Sequence, residues 1–175
     1  MHGLSAASLT VTSQTGVQTS FAVPLATFAP AIFSMNQQGT GQAMAVNQDG
    51  STNGTSHPAP LGSIVELYGT GQGPVKSPVP DGQPAPSSPD NTVANPTSDG
   101  NTCLNGSSYV CVALGGSGGG AVFASVQYSG LAPGQVGVWE LKFTIPSSGL
   151  LGNTVSVRAA IGGINFSNEV TLAVK

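Results

Sequence analysis

Apolar and polar side chains alternate along the long apolar segments of this chain, and no window places apolar residues at helical spacing. In segment 138–145, one face carries Glu140 and Lys142, and the other carries Trp139, Leu141, Phe143 and Ile145. Successive side chains of a strand point to opposite sides of a sheet. We therefore predict about seven to nine strands in two packed antiparallel sheets. Trp139 is expected at the centre of the core, and Glu140 and Lys142 as an exposed charge pair.

The two ends of the chain carry similar patterns. Residues 9–26 and 155–174 each contain an alternating strand, a glycine turn and a second alternating strand, which is typical of a β-hairpin. Only the second pattern has a full domain before it. The first hairpin is therefore expected either to complete the sandwich or to pair with a neighbouring copy, because an uncovered strand edge invites pairing.

Long loops rich in proline and glycine separate the predicted strands. Residues 69–100 hold seven of the 13 prolines, so no strand ladder can run far there. We predict an N-terminal β-hairpin at residues 1–28. A β-sandwich domain is predicted at 29–175, with an inserted cysteine hairpin at 101–113.

Charged side chains are rare. The chain has four basic and seven acidic residues, 6% of its length against the roughly 25% usual in soluble domains. The net charge of −3 makes nucleic acid an unsuitable partner, because binding to phosphates requires clustered cations. Few charges also give weak protection against self-association. Partners are therefore expected among copies of this chain or neighbouring domains of a longer one.

The expected location is extracellular or at the cell surface, where neutral, hydroxyl-rich strands are common. No segment reaches the roughly 18 apolar residues of a membrane span, so membrane insertion is not expected. The first residues lack the pattern of a signal peptide, so a leader is expected to be removed or to lie outside this sequence.

Cys103 and Cys111 flank Asn105-Gly106, a strong signal for a type I′ turn. This spacing favours a disulfide across a small hairpin, and an oxidising location would support it. Two reduced, buried thiols are the alternative.

Several motifs in order resemble an uncharacterised C-terminal domain family of large secreted acidobacterial proteins. The segments that carry the resemblance are Ala29–Phe33, Gly39–Ala43, Ala45–Ser51, Gly62–Gly71, Pro78–Pro86 and Tyr128–Gly137. The resemblance covers nearly all of residues 9–175 and departs mainly around Cys103 and Cys111. It implies an immunoglobulin-like antiparallel β-sandwich and no established activity, cofactor or catalytic residue.

Catalysis has one weak candidate. His57 would be the base of a small ester hydrolase, with Ser56 or Ser63 as nucleophile and Asp81 as orienting acid, but no Gly-x-Ser-x-Gly elbow is present. A copper site would need His2 and His57 to converge. A solvated loop histidine is the simpler interpretation.

Two ligand sites are further hypotheses. Asn47, Asp49, Ser51 and Asn53 offer oxygens at alternate positions, loosely like a calcium loop, but a closing glutamate is missing. Among the tyrosines, Tyr109 is expected to be exposed and to stack on a sugar, while most aromatic residues are expected to alternate into the core.

These observations favour a non-catalytic structural or adhesive module that assembles through strand pairing and needs no cofactor. A carbohydrate-binding module that contacts polysaccharide through Tyr109 is the first alternative, and the hydrolase the second.

Overall fold

The computed structural model describes residues 5–87, 110–116, 120–147, 150–162 and 165–175. These residues form strands and contain no helix. In chain order the strands are β1 (Ala6–Thr12), β2 (Gln18–Pro24), β3 (Ala31–Ile32), β4 (Ala45–Asn47), β5 (Ile64–Thr70), β6 (Val110–Leu114), β7 (Val122–Ala124), β8 (Val126–Leu131), β9 (Trp139–Thr144), β10 (Gly152–Ile161), β11 (Asn165–Phe166) and β12 (Val170–Val174).

Two antiparallel sheets build the domain. The front sheet has the order β3-β5-β9-β8, with β4 paired to β5 beside β3. The back sheet has the order β11-β10-β6-β7, with β12 also paired to β10. A separate hairpin, β1-β2, precedes both. The predicted all-β sandwich class and the N-terminal hairpin are confirmed, with more short strands than the seven to nine expected.

The core lies between the two sheets. One cluster of buried apolar side chains draws on both sheets, including Trp139 and Phe143 from β9 and Val157 from β10. Trp139 is 1% exposed, as the alternation predicts, and its indole Nε1 donates a hydrogen bond to Ser129 Oγ at 2.9 Å. The one polar atom of this large ring is therefore satisfied inside the core.

Glycines allow the segment before β3 to cross the end of β5 closely. A Cβ atom at Gly71 would collide with the carbonyl oxygen of Ala29, and the backbone φ of Gly71 is +76°. Ala29 N–H also donates to the Gly71 carbonyl at 2.9 Å. Only glycine fits this crossing without strain.

Two asparagine side chains take the place of strand neighbours. Asn53 donates through Nδ2 to the carbonyl of Ala173 and accepts through Oδ1 from its N–H, both at 2.9 Å. Asn168 makes the same two-point contact with Ile32, at 2.8 and 2.9 Å. Each side-chain amide thus satisfies a donor and an acceptor of a strand.

Replacing Asn53 with alanine is expected to lower the free energy of unfolding by roughly 2–4 kcal/mol, because the buried Ala173 N–H and Asn47 Oδ1 each lose a partner. Urea unfolding measures the change. Asn153→Ala is the control, since Asn153 is an exposed asparagine on β10 and its replacement should change stability by less than about 0.5 kcal/mol. Equal losses in both variants would contradict a role for the buried amide.

Candidate functional site

The β1-β2 hairpin, residues 6–24, is called the arm below. It pairs Ala6 with Pro24 through to Thr12 with Gln18 and has no strand partner in either sheet. Leu9 and Phe21 are opposite one another and are 53% and 55% exposed. A lone two-stranded hairpin is at best marginally stable in water, so the arm lacks the cover that such strands normally have.

The two faces of the arm differ in chemistry. Its apolar face carries Ala7, Leu9, Val11, Phe21 and Val23, together with Thr19. Its other face is rich in hydroxyl groups, and the hydroxyls of Thr10 and Ser20 are hydrogen bonded at 2.8 Å across the strands. Residues 5–27 contain no charged side chain. Neither face therefore resists contact with another arm by charge repulsion.

The backbone of the arm leaves both edges open. Leu25 N–H donates to the Ser5 carbonyl at 2.9 Å, and Ser13 N–H donates to the Val17 carbonyl at 2.8 Å. Hydrogen-bonded pairs alternate with non-bonded pairs in an antiparallel ladder, so the even-numbered residues point their N–H and C=O outward. On the edge of β2, Pro24 has no N–H to offer. The edge of β1, from Ala6 to Thr12, has no such gap.

A second feature is a cavity of about 310 Å³ on the outer face of the front sheet, called the groove below. Its lining includes Phe33, Met44, Tyr68, Pro133, Val138 and Glu140. A neighbouring hollow of about 500 Å³ shares Phe33 and Met44 and extends to Gln37 and Asn168. Gln37 has a left-handed backbone φ of 60°, rare for a non-glycine residue.

Glu140 lies at the base of the groove and is 5% exposed, so the prediction of an exposed charge pair is wrong for this residue. Its strand, β9, has neighbours on both sides, with Tyr68 of β5 and Gly130 of β8 opposite Glu140. Tyr68 and Tyr128 are each partly exposed, and Tyr68 lines the groove on the outer face. The alternation in β9 predicts correctly that Glu140 faces away from the core, but it does not predict that Glu140 is buried.

One lysine serves two carboxylates here. Lys142 Nζ is 2.7 Å from Glu66 Oε1 and 3.4 Å from Glu140 Oε1. Burial raises the pKa of Glu140, since the charged form loses hydration. Burial, with the negative charges of Glu66 and Glu140, raises the pKa of Tyr68 to about 12. Burial disfavours the charge of Lys142, but the hydrogen bonds and negative charges of Glu66 and Glu140 together outweigh this and leave its pKa raised.

Replacing Glu140 with glutamine is expected to stabilise the protein near neutral pH. A carboxyl with a raised pKa favours folding at acid pH and loses that contribution as pH rises through its folded-state pKa. The stability of Glu140→Gln relative to the unmodified chain should therefore increase from about pH 4 to pH 8, by about 1.4 kcal/mol for each unit by which the pKa is raised. Thermal unfolding across this range measures it.

Glu66→Gln is the control, because it removes the closer partner of Lys142 and leaves Glu140 buried. It should retain a smaller pH dependence from Glu140, because burial is the largest cause of the raised pKa and the negative charge of Glu66 is a lesser one. A pH dependence unchanged in Glu140→Gln would contradict this assignment.

The hydrolase residues are not brought together by hydrogen bonds. His57 is exposed, and no described hydrogen bond or ion pair joins its ring to Ser56, Ser63 or Asp81. The Ser63 hydroxyl instead donates to the Pro60 carbonyl at 2.6 Å. His2, the other residue of the copper hypothesis, lies outside the described residues.

The loop of the calcium hypothesis is held by its own hydrogen bonds. Asn47 Oδ1 accepts from Asn53 Nδ2 at 2.9 Å, and Asn47 Nδ2 donates to the His57 carbonyl at 2.8 Å. Asp49 Oδ1 accepts from the hydroxyl and N–H of Ser51, which lowers the pKa of Asp49. The oxygens named for calcium thus have structural partners, and the calcium site stays a prediction.

Cys111 is 2% exposed on β6, opposite Ala160 of β10. Its predicted partner, Cys103, and the predicted sugar platform, Tyr109, lie outside the described residues. The disulfide and the Tyr109 site stay predictions.

Comparisons with protein families, with curated proteins and with solved structures find no match to this chain. The resemblance to a domain family of secreted acidobacterial proteins thus stays a prediction. No helix in the described part of the chain has the length and apolarity needed to cross a bilayer. Within the same residues, no three His, Cys, Asp or Glu side chains are grouped so as to hold a metal ion.

Proposed function

We propose that this chain is a non-catalytic structural or adhesive β-sandwich module that acts outside the cell and assembles with copies of itself through the arm. The observation that carries the proposal is the exposure of an apolar hairpin face next to two open strand edges. Strand addition supplies the missing main-chain partners, and side chains on the shared face add contacts.

The edge of β1 is the better pairing edge, because Pro24, the last residue of β2, removes one outward donor from the other edge. Two copies of β1 meet antiparallel about a two-fold axis, so each offers the same surface to the other. The product is a four-stranded sheet in which both apolar faces lie on the same side. Leu9 and Val11 of each copy then contact the partner strand on this side.

The expected affinity is low. If the even-numbered residues of two β1 strands exchange about eight hydrogen bonds, each worth about 0.5–1.5 kcal/mol net, the gain is roughly 4–12 kcal/mol. Association costs about 4–15 kcal/mol. The two terms nearly balance, so assembly should depend strongly on concentration.

The location outside the cell rests on the low content of charged side chains and on the proposed disulfide between Cys103 and Cys111. Cys111, the member of that pair that the structure describes, is buried in β6. An oxidised link would therefore anchor the inserted segment to the back sheet.

Light scattering over a concentration series should show the full chain passing from monomer toward dimer. A chain lacking residues 1–27 should stay monomeric, because it keeps Phe28, which packs on the core, and loses only the arm. Monomers at every concentration in both forms would rule out assembly through the arm.

A pair of proline variants tests the edge itself. Ser8 and Ala22 are opposite each other in the arm, and each directs its N–H outward. Ser8→Pro should abolish dimers by removing a donor from the β1 edge, whereas Ala22→Pro should leave them intact. Loss of dimers in Ala22→Pro alone would place the pairing on β2 instead.

The disulfide has its own test. Peptide mapping without reductant should recover the peptides of Cys103 and Cys111 as one linked species, which separates after reduction. Alkylation of both thiols in protein that is unfolded without reductant would show that they are reduced.

A further inference from the structure

The groove holds a negative charge that the protein itself does not neutralise. Glu66 and Glu140 share the single ammonium of Lys142, and Glu66 takes the shorter contact, 2.7 Å against 3.4 Å. Among the described residues no other cation reaches Glu140. Two carboxylates and one ammonium leave one net negative charge, and the carboxylate with the weaker contact is the one that lines the groove.

The walls of the groove suit a cation with an apolar body. Phe33 and Tyr68 contribute aromatic rings, and Met44 and Val138 contribute aliphatic surface. Aromatic faces attract ammonium and guanidinium groups, more strongly where water is excluded. Lys142 is not among the lining residues, so its charge does not occupy the space. A volume of about 310 Å³ fits a small ligand or one long side chain.

We infer that the groove binds a small organic cation, an ammonium or guanidinium group on an apolar stem, with the Glu140 carboxylate as its counter-charge and Phe33 and Tyr68 as its walls. The cation gives Glu140 a close positive partner, which it lacks because Lys142 lies closer to Glu66. The raised pKa of Glu140 is what an incompletely paired, buried carboxyl shows. The net charge of −3 also favours cations over anions near the surface.

Titration calorimetry with three cations tests the site. Choline represents a free quaternary ammonium, and Nα-acetyl-lysinamide and Nα-acetyl-argininamide represent side chains of a partner protein. Saturable binding of at least one is expected, weakening as salt is added. Preference for choline indicates a free small molecule, and preference for an amino-acid derivative indicates a peptide. No heat of binding at millimolar concentrations of all three would overturn the inference.

Matched probes isolate the charge. 3,3-Dimethylbutanol has the shape of choline without its charge, and Nα,Nε-diacetyl-lysinamide is the neutral form of the lysine probe. Each should bind at least about tenfold more weakly than its charged counterpart, because it gains neither the ion pair nor the cation–π contact. Equal affinity for the charged and neutral probes would contradict a cation site.

Matched variants locate the charge. Glu140→Gln should weaken cation binding at least about tenfold. Glu169→Gln changes the net charge equally on an exposed residue paired with Arg158, away from the groove, and should leave affinity unchanged. Phe33→Leu should weaken binding while keeping the groove apolar. Unchanged affinity in Glu140→Gln, in a protein whose thermal unfolding shows it to be folded, would refute the role of Glu140.

Neutral sugars provide the competing outcome. If cellobiose or maltose bound in the groove and was lost with Tyr68→Ala, while the cations showed no heat, the groove would be a carbohydrate site and the inference would be wrong. The arm is not involved in any of these measurements, so the self-assembly proposal and the cation site can fail separately.

Discussion

The sandwich depends on asparagine side chains whose amides form the hydrogen bonds that a neighbouring strand would otherwise supply. The last strand, β12, pairs with β10 along one edge, and its other edge meets only irregular segments around Gln42 and Ala59. Asn53 satisfies the N–H and C=O of Ala173 there, and Asn168 does the same for Ile32. Buried backbone groups must be paired, so loops can border the core only where such amides reach them. This arrangement also sets the position of the groove, because the segments beside Ile32 hold Phe33 and Met44 over the front sheet.

The sequence predicted the class of fold because alternation is a local property. Trp139 is buried and Glu140 faces away from the core, as the pattern in β9 indicates. The pattern could not predict that Glu140 is also buried, since burial depends on the strands on both sides of β9. Tyr68 of β5 lies far away in the chain, and Gly130 of β8 lies opposite Glu140 in the sheet. The calcium-like spacing of residues 47–53 is ambiguous for a related reason. Turn residues that offer oxygens to an ion offer them equally to a neighbouring strand.

The groove illustrates how far local patterns reach. Phe33 lies in an apolar stretch that the sequence marks clearly, and Glu140 lies in its most regular strand. Nothing in either segment shows that they border one cavity, because their meeting requires Phe33 to hydrogen bond to Tyr68 of β5 and Tyr68 to lie opposite Glu140 of β9. Charged side chains are scarce in this chain, with only 11 in total, and three of them, Glu66, Glu140 and Lys142, cluster on this sheet. That scarcity is the one feature of the sequence that draws attention to the cluster.

If arms assemble as proposed, Pro24 limits growth, because its ring leaves it without an N–H. A hairpin with two equal edges would recruit further hairpins on both sides, and a polypeptide so poor in charge would have little to stop the resulting filament. With a ring in place of one donor, the second edge would be the weaker one, so recruitment through the first edge would end after a single partner has been added. In the proposed assembly, one imino acid would thereby favour a reversible pair over an open-ended fibril.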